Sequence, residues 1–316
     1  IIYFRLLHLL KINYFIKSIF MKHYSIYIVL TIFLLTSCGE FEEKNTGTSS
    51  EKEQVSINPE EKINLEIGNN FFSIPSPVQI ALELEKGNQP FSSDLLHNPE
   101  AFDSYNSDFT KSLIMGIYGT DLAYCAVYGK TTEAMKYFNA MKKMADELNA
   151  GYAINEALLE RFSNNLDNKD SLLSLASDAY LEIDAYLKDN NNHDIAGVVL
   201  AGGWIESIYL QSNGLKTDSS ENMQMKLAQN KYTLQHFIDL VTKIGTSDDY
   251  WELKEMLEDV NVIYKEVKNS YTYVAPSTDS RNKITTIKSK SSFETNITIS
   301  NQIANEFTNL RNHYTE

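Results

Sequence analysis

The run Thr131–Leu148, TTEAMKYFNAMKKMADEL, decides the fold class. Its apolar residues Ala134, Phe138, Met141, Ala145 and Leu148 recur at spacings of three and four. That spacing lines up one stripe of a helix, whereas a strand with one buried face repeats every two residues. Leu158, Phe162 and Leu166 continue the pattern, as do Leu172, Ala176, Tyr180, Ile183 and Leu187. It returns at Ile195, Val198, Gly202, Ile205 and Tyr209, at Leu234, Phe237, Val241 and Ile244, and at Leu253, Leu257, Val260, Tyr264 and Val267. Each stripe is wide enough to be buried against a neighbour. The spacing therefore predicts an all-α body over residues 62–316, an antiparallel helical bundle or an array of helical hairpins.

The breaks carry turn chemistry: Gly129, Asn149 to Gly151, Asn190 to Asn192, Ser212 to Ser220 and Gly245 to Asp248. Connections this short fold successive helices back along one another. Ser76-Pro77-Val78-Gln79 reads as a helix opening, with Ser as N-cap, Pro at the first helical position and Gln three residues after the cap; Gly87 closes that helix. Near the C-terminus, Ile284 to Ile287 and Ile297 to Ile299 intersperse Thr with Ile, predicting a small β-hairpin before a last helix capped by Ser300. Met115-Gly116-Ile117-Tyr118 and Ala201-Gly202-Gly203-Trp204 each set glycine two residues before a large aromatic inside an apolar helix. Two related helical hairpins fit this, and so does chance composition.

Charge narrows the partners. Residues 1–37 hold Arg5, Lys11, Lys17 and Lys22 and no acid, leaving 24 basic against 42 acidic residues behind them, a net charge of −18. Such a body repels phosphate backbones, so nucleic acid is not expected as a partner. Two cysteines, Cys38 and Cys125, cannot build a disulfide framework if the first is modified. Cys125 lies in an apolar helical run and reads as a small buried hydrophobe.

The N-terminal segment supplies an address. From Met21 the chain runs Met21-Lys22-His23, then an apolar stretch from Tyr24 to Leu35, then Thr36-Ser37-Cys38. A positive start, a short apolar run and small residues before a cut define a secretory signal peptide. A permanent membrane helix starting at Ile1 is the alternative, but Arg5, Lys11 and Lys17 would each be costly in the bilayer core. Leu35-Thr36-Ser37-Cys38 resembles the lipobox of bacterial lipoproteins, which implies cleavage before Cys38 and its acylation by a diacylglycerol-derived anchor such as palmitate. Because the first methionine is Met21, residues 1–20 read as upstream sequence, 21–37 as signal peptide and 38–61 as an acidic, Ser/Thr-rich flexible stalk. The acids behind Gly39 are similar to the surface-export signal of Bacteroidota lipoproteins. Ile117-Tyr118-Gly119-Thr120-Asp121-Leu122-Ala123-Tyr124 and Ala201-Gly202-Gly203-Trp204-Ile205-Glu206 resemble stretches of helical lipoproteins of that phylum, which have no assigned activity. The resemblance implies a cell-envelope location, at the outer membrane.

The two glycine-bearing helices hold the candidate ligand-binding residues: Tyr118, Asp121, Tyr124, Trp204 and Glu206. Both acids lie beside apolar, aromatic helix faces, where burial would raise their pKa values. If the helices pack, both face one cleft with the aromatics. Tyrosine hydroxyls in a core also need acceptors, and a nearby carboxylate commonly supplies one, so structural roles account for the same residues. Paired carboxylates can cleave glycosides, but the expectation is that Asp121 and Glu206 stand more than about 10 Å apart, outside that geometry. The histidines behind the signal segment, His97, His193, His236 and His313, show no ligand spacing, and no Gly-rich phosphate loop is present, so neither metal nor cofactor is expected. Three readings follow. The first is a non-enzymatic envelope module that binds a protein partner; the second is a glycan or small-ligand binding lipoprotein; the third is a carboxylate-dependent hydrolase.

Overall fold

The computed structural model describes residues 62–67, 70–75, 77–87, 89–165 and 167–316. The lipobox, Cys38, the stalk, Ser76 and Leu166 lie outside the described residues, and with them the readings made there. The fold is all-α with small antiparallel hairpins. Ten helices are described: α1 (Pro77–Lys86), α2 (Asp108–Val127), α3 (Thr131–Glu147), α4 (Glu156–Asn164), α5 (Lys169–Asp189), α6 (His193–Asn213), α7 (Glu221–Ala228), α8 (Lys231–Ile244), α9 (Asp248–Tyr264) and α10 (Ile297–Thr315). None of them is long and apolar enough to cross a membrane.

Helix starts follow side-chain chemistry. Ser107, Asn155, Asn168 and Ser220 each accept a bond from the backbone N–H three residues on, opening α2, α4, α5 and α7. Asn296 does the same for α10, accepting from Ile299 N at 3.0 Å. This corrects the cap expected at Ser300, whose hydroxyl is buried in the second turn with no hydrogen-bond partner among the described residues. Ile297 to Ile299 is accordingly helix. The reversals at Gly129, Asn149 and Asn191 take positive φ values of 64°, 58° and 60°, the left-handed region that glycine and asparagine tolerate best.

Strands occupy two regions. β1 (Lys62–Ile67) pairs with β2 (Asn70–Pro75), a hairpin not anticipated within the body read as helical, although Ile63, Leu65 and Ile67 alternate. Near the C-terminus β3 (Lys268–Thr272) pairs with β6 (Lys290–Glu294), and β4 (Ser277–Asp279) with β5 (Ile284–Thr286), nested in one ribbon. The expected strand at Ile284 is present, and its partner is Ser277–Asp279.

At the centre, α2 and α6 are buried around most of their circumference, the mark of helices enclosed by others. They cross where glycines remove side chains. A Cβ on Gly116 would stand 2.0 Å from the carbonyl oxygen of Val199, and one on Gly202 2.0 Å from that of Leu113. Thr120 Oγ1 adds a bond across the crossing to Gly203 O at 2.9 Å. The two sequence-similar motifs thus pack directly on each other. Helix α10 closes over α6 with Ile299, Ile303, Phe307 and Leu310 buried.

Candidate functional site

Packing α2 against α6 brings Asp121 and Glu206 together. Both carboxyls are fully buried and near enough to perturb each other directly, so the expectation that they stand far apart is overturned. The cause is the glycine crossing one turn away, which lets two backbones meet. Glycosidase carboxyl pairs instead keep roughly 5 to 9.5 Å between them, room for a substrate that this sealed pair does not offer.

Two further residues complete the cluster. Arg311, from α10, donates from Nε to Glu206 Oε2 at 3.1 Å, while its other nitrogens donate to Leu95 O and Thr315 Oγ1, both at 3.3 Å. Its guanidinium also lies over the Tyr209 ring, 4.8 Å from the centroid. His97, in the connection between α1 and α2, donates its backbone N–H to Asp121 Oδ2 at 3.0 Å. Asp121 Oδ1 and Glu206 Oε1 are buried without a hydrogen-bond partner among the described residues. One proton shared between the two carboxyls would give each of these oxygens the partner it lacks.

Electrostatics favour one carboxyl for that proton. Burial, then the charge of Glu206, hold the Asp121 carboxyl well above the usual range, against Arg311 and the His97 N–H. Burial raises Glu206 too, but Arg311 and the neighbouring Asp121 oppose it. Asp121 is therefore the carboxyl on which a proton is favoured, and Glu206 the one that faces Arg311. Burial disfavours the guanidinium charge, but Glu206, Asp121 and Tyr209 together outweigh that and raise the Arg311 pKa. His97 is pushed down to about 4, by burial first and then by Arg311, so its ring is neutral at pH 7. That ring stacks on Tyr118 (5.5 Å, 13°), and its Nε2 bonds Tyr105 Oη at 2.6 Å.

The tyrosines have a common task. Tyr118 donates to Asn98 O at 2.8 Å, Tyr137 to His97 O at 2.8 Å, Tyr128 to Gln89 O at 2.7 Å and Tyr124 to Pro90 O at 3.4 Å. Four phenols thus strap the α1–α2 connection to the bundle, and their acceptors are backbone carbonyls rather than the carboxylates expected. Tyr124 also borders a cavity of about 180 Å³, small for a ligand site. Trp204 is elsewhere, stacked on Phe237 at 4.7 Å and edge-on to Phe307 at 5.2 Å. Of the five candidate residues, the structure joins Asp121, Glu206 and Tyr118 in one cluster, sets Tyr124 at its margin and separates Trp204.

Arg311, His97 and Tyr137 escaped sequence reading. Arg311 had a signal, being a cation on the helix face otherwise marked by Ile303, Phe307 and Leu310. His97 sits in a connection without periodicity and had none.

A second arrangement lies apart from these residues. The end of α3, the 149–155 turn, α4 and α5 enclose an open cleft of about 830 Å³. Tyr152, 84% exposed, stands in it with its ring stacked on Tyr186 at 6.5 Å and 27°. Asp146, Asn149, Asn155, Glu156 and Lys142 supply polar groups around the rings. The turn is held by Ala150 N donating to Ala145 O at 2.7 Å, and by Gly151, where a Cβ would meet Asp146 Oδ1 at 1.8 Å.

Among the described residues no group of three or more His, Cys, Asp or Glu side chains is placed to hold a metal ion. Cys125 is a buried free thiol whose pKa burial raises. Comparison with protein-family models, with curated proteins and with solved structures finds no match to this chain.

Proposed function

We propose that this chain is a non-enzymatic binding protein of the cell envelope, lipid-anchored through Cys38, whose helical body takes a glycan or similar hydroxylated small ligand in the Tyr152–Tyr186 cleft. The cleft is the observation that carries the reading. Its volume falls in the range of roughly 300–1,000 Å³ usual for small-molecule sites. Two near-parallel rings offer an apolar platform to a sugar face, while the carboxylates and amides at the rim match its hydroxyls. The Asp121–Glu206 pair supports the non-enzymatic side, because both carboxyls are sealed from solvent and committed to Arg311, His97 and each other.

Isothermal calorimetry against glucan, mannan and N-acetylglucosamine oligosaccharides tests it. Binding heat for one class is expected, lost in Tyr152→Ala and retained in Asp121→Asn, with the saccharide recovered intact. No heat and no thermal shift with any class would remove the glycan reading. It would bring forward a protein partner, for which Trp251 and Val262 stand exposed on α9.

A further inference from the structure

The nested ribbon from Lys268 to Glu294 differs from the rest of the molecule in charge and in exposure. It holds Lys268, Arg281, Lys283, Lys288 and Lys290 against two acids, Asp279 and Glu294, whereas the remainder of the chain behind residue 37 has 19 basic and 40 acidic residues. Its side chains are exposed from Lys268 to Ser292 apart from half-buried Ser289. Phe293 is tucked against Tyr232 at 5.9 Å and roots the ribbon on α8. Beyond that root the apolar side chains stand in solvent: Tyr271, Tyr273 at 68%, Ile284 and Ile287 at 72% exposure.

The ribbon is built rather than loose. The β3–β6 and β4–β5 registers differ by one residue, and at the step Ser289 Oγ bonds both the N–H and the carbonyl of Val274 at 3.0 Å, filling a gap in the ladder. Asp279 closes the tip by accepting from Arg281 N and Asn282 N, and Lys283 takes φ 54°. None of the five cations makes an ion pair among the described residues.

We propose that this ribbon docks on an anionic lipid bilayer, its five cations held at the headgroups and Tyr271, Tyr273, Ile284 and Ile287 entering the interface. Aromatic and aliphatic side chains among unpaired lysines are the composition of interfacial segments, which combine apolar burial with attraction to anionic lipid. Charge complementarity sets the orientation: the acidic body is repelled by such a surface and only the ribbon is drawn to it. The exposed isoleucines favour hydrocarbon over nucleic acid, since they give a base nothing to hydrogen-bond. Lysine-lined strands disfavour pairing with a second copy. The inference is independent of the anchor at Cys38 and of the saccharide cleft.

The test uses the full chain with Cys38→Ser, so that the only reactive thiol is one introduced, Cys125 being buried. An environment-sensitive fluorophore at Ile287→Cys is expected to shift to the blue with phosphatidylglycerol vesicles and not with phosphatidylcholine vesicles, and to revert in high salt. The same label at Glu160→Cys on α4 is expected not to shift, even where the N-terminal segment itself holds the protein on the vesicle. Neutralising Lys283, Lys288 and Lys290 to Gln is expected to weaken the response about fivefold per charge, with the helical circular dichroism of the body unchanged. The proposal is overturned by no shift at position 287, by equal shifts on both lipids, by a shift elicited by single-stranded DNA instead, or by one that follows protein concentration without vesicles.

Discussion

Single residues divide the buried cluster into unequal partners. If Asp121 carries the shared proton, an amide can replace it: in Asp121→Asn the Nδ2 donates to Glu206 and the oxygen accepts from His97 N. That variant is expected to match or exceed the parent stability at pH 7. The sign follows from the raised pKa of Asp121. A folded-state pKa above the unfolded value of about 3.9 gives stability that is present at low pH and lost as pH rises, so the advantage of Asn should shrink toward pH 4. Glu206→Gln has the opposite outcome, leaving the Arg311 guanidinium buried beside a neutral group at a cost of about 3–5 kcal/mol. Urea unfolding of both variants checks the asymmetry, and equal losses would refute the proton assignment. His97 works in the other direction. Its pKa, lowered to about 4, gives stability that is complete above about 6.5 and is lost as pH falls toward 4, roughly 3 kcal/mol in all. His97→Gln is expected to flatten the stability profile across that window. The carboxyls themselves were legible as two acids beside aromatic faces; their neutralisation was not, because it depends on an arginine 105 residues away from Glu206 and on a backbone N–H that no side-chain pattern announces.

At the scale of elements, the glycine crossing is the most sensitive point of the fold. A Cβ at Gly116 or Gly202 would meet a backbone carbonyl at 2.0 Å, and a backbone atom cannot move aside as a side-chain terminus can. Gly116→Ala is therefore expected to cost about 3 kcal/mol, the upper end for overpacking, despite the better helix propensity of alanine. Thermal unfolding of Gly116→Ala beside Gly129→Ala, where nothing lies within 4 Å but φ is +64°, separates a clash between helices from strain within one residue. The helices themselves were readable because each buries one stripe, and the three-and-four spacing of Thr131–Leu148 is the direct imprint of that burial. The stripe test failed where tertiary context outweighed local pattern. Ile297 to Ile299 looks extended, yet Asn296 captures the Ile299 N–H and starts α10 there. Ile63, Leu65 and Ile67 alternate as a strand should, over a span short enough to be passed over among long helices. The α1–α2 connection was opaque for a different reason, since the tyrosines that strap it bond to backbone carbonyls, which every residue carries.

For the molecule as a whole, charge and attachment act together. An acidic body with one basic ribbon has a preferred face toward an anionic surface. Permanent attachment needs more than the ribbon, because charge and a few interfacial side chains give reversible binding, as a single acyl chain does. Under the proposed anchoring, permanence would come from Cys38, where two or more acyl chains would exceed that limit. Cys38→Ala is accordingly expected to abolish incorporation of radiolabelled fatty acid and to leave the chain unprocessed or released into the soluble fraction. The body should remain unaffected: saccharide binding at Tyr152 and the vesicle response of the Ile287 label, read on released chain, should persist. Undiminished fatty-acid labelling of Cys38→Ala would refute the anchor while leaving the cleft and the ribbon standing. Loss of all three in that variant would instead mean that the N-terminal segment is needed for the body to fold, which helical circular dichroism of the released chain distinguishes directly.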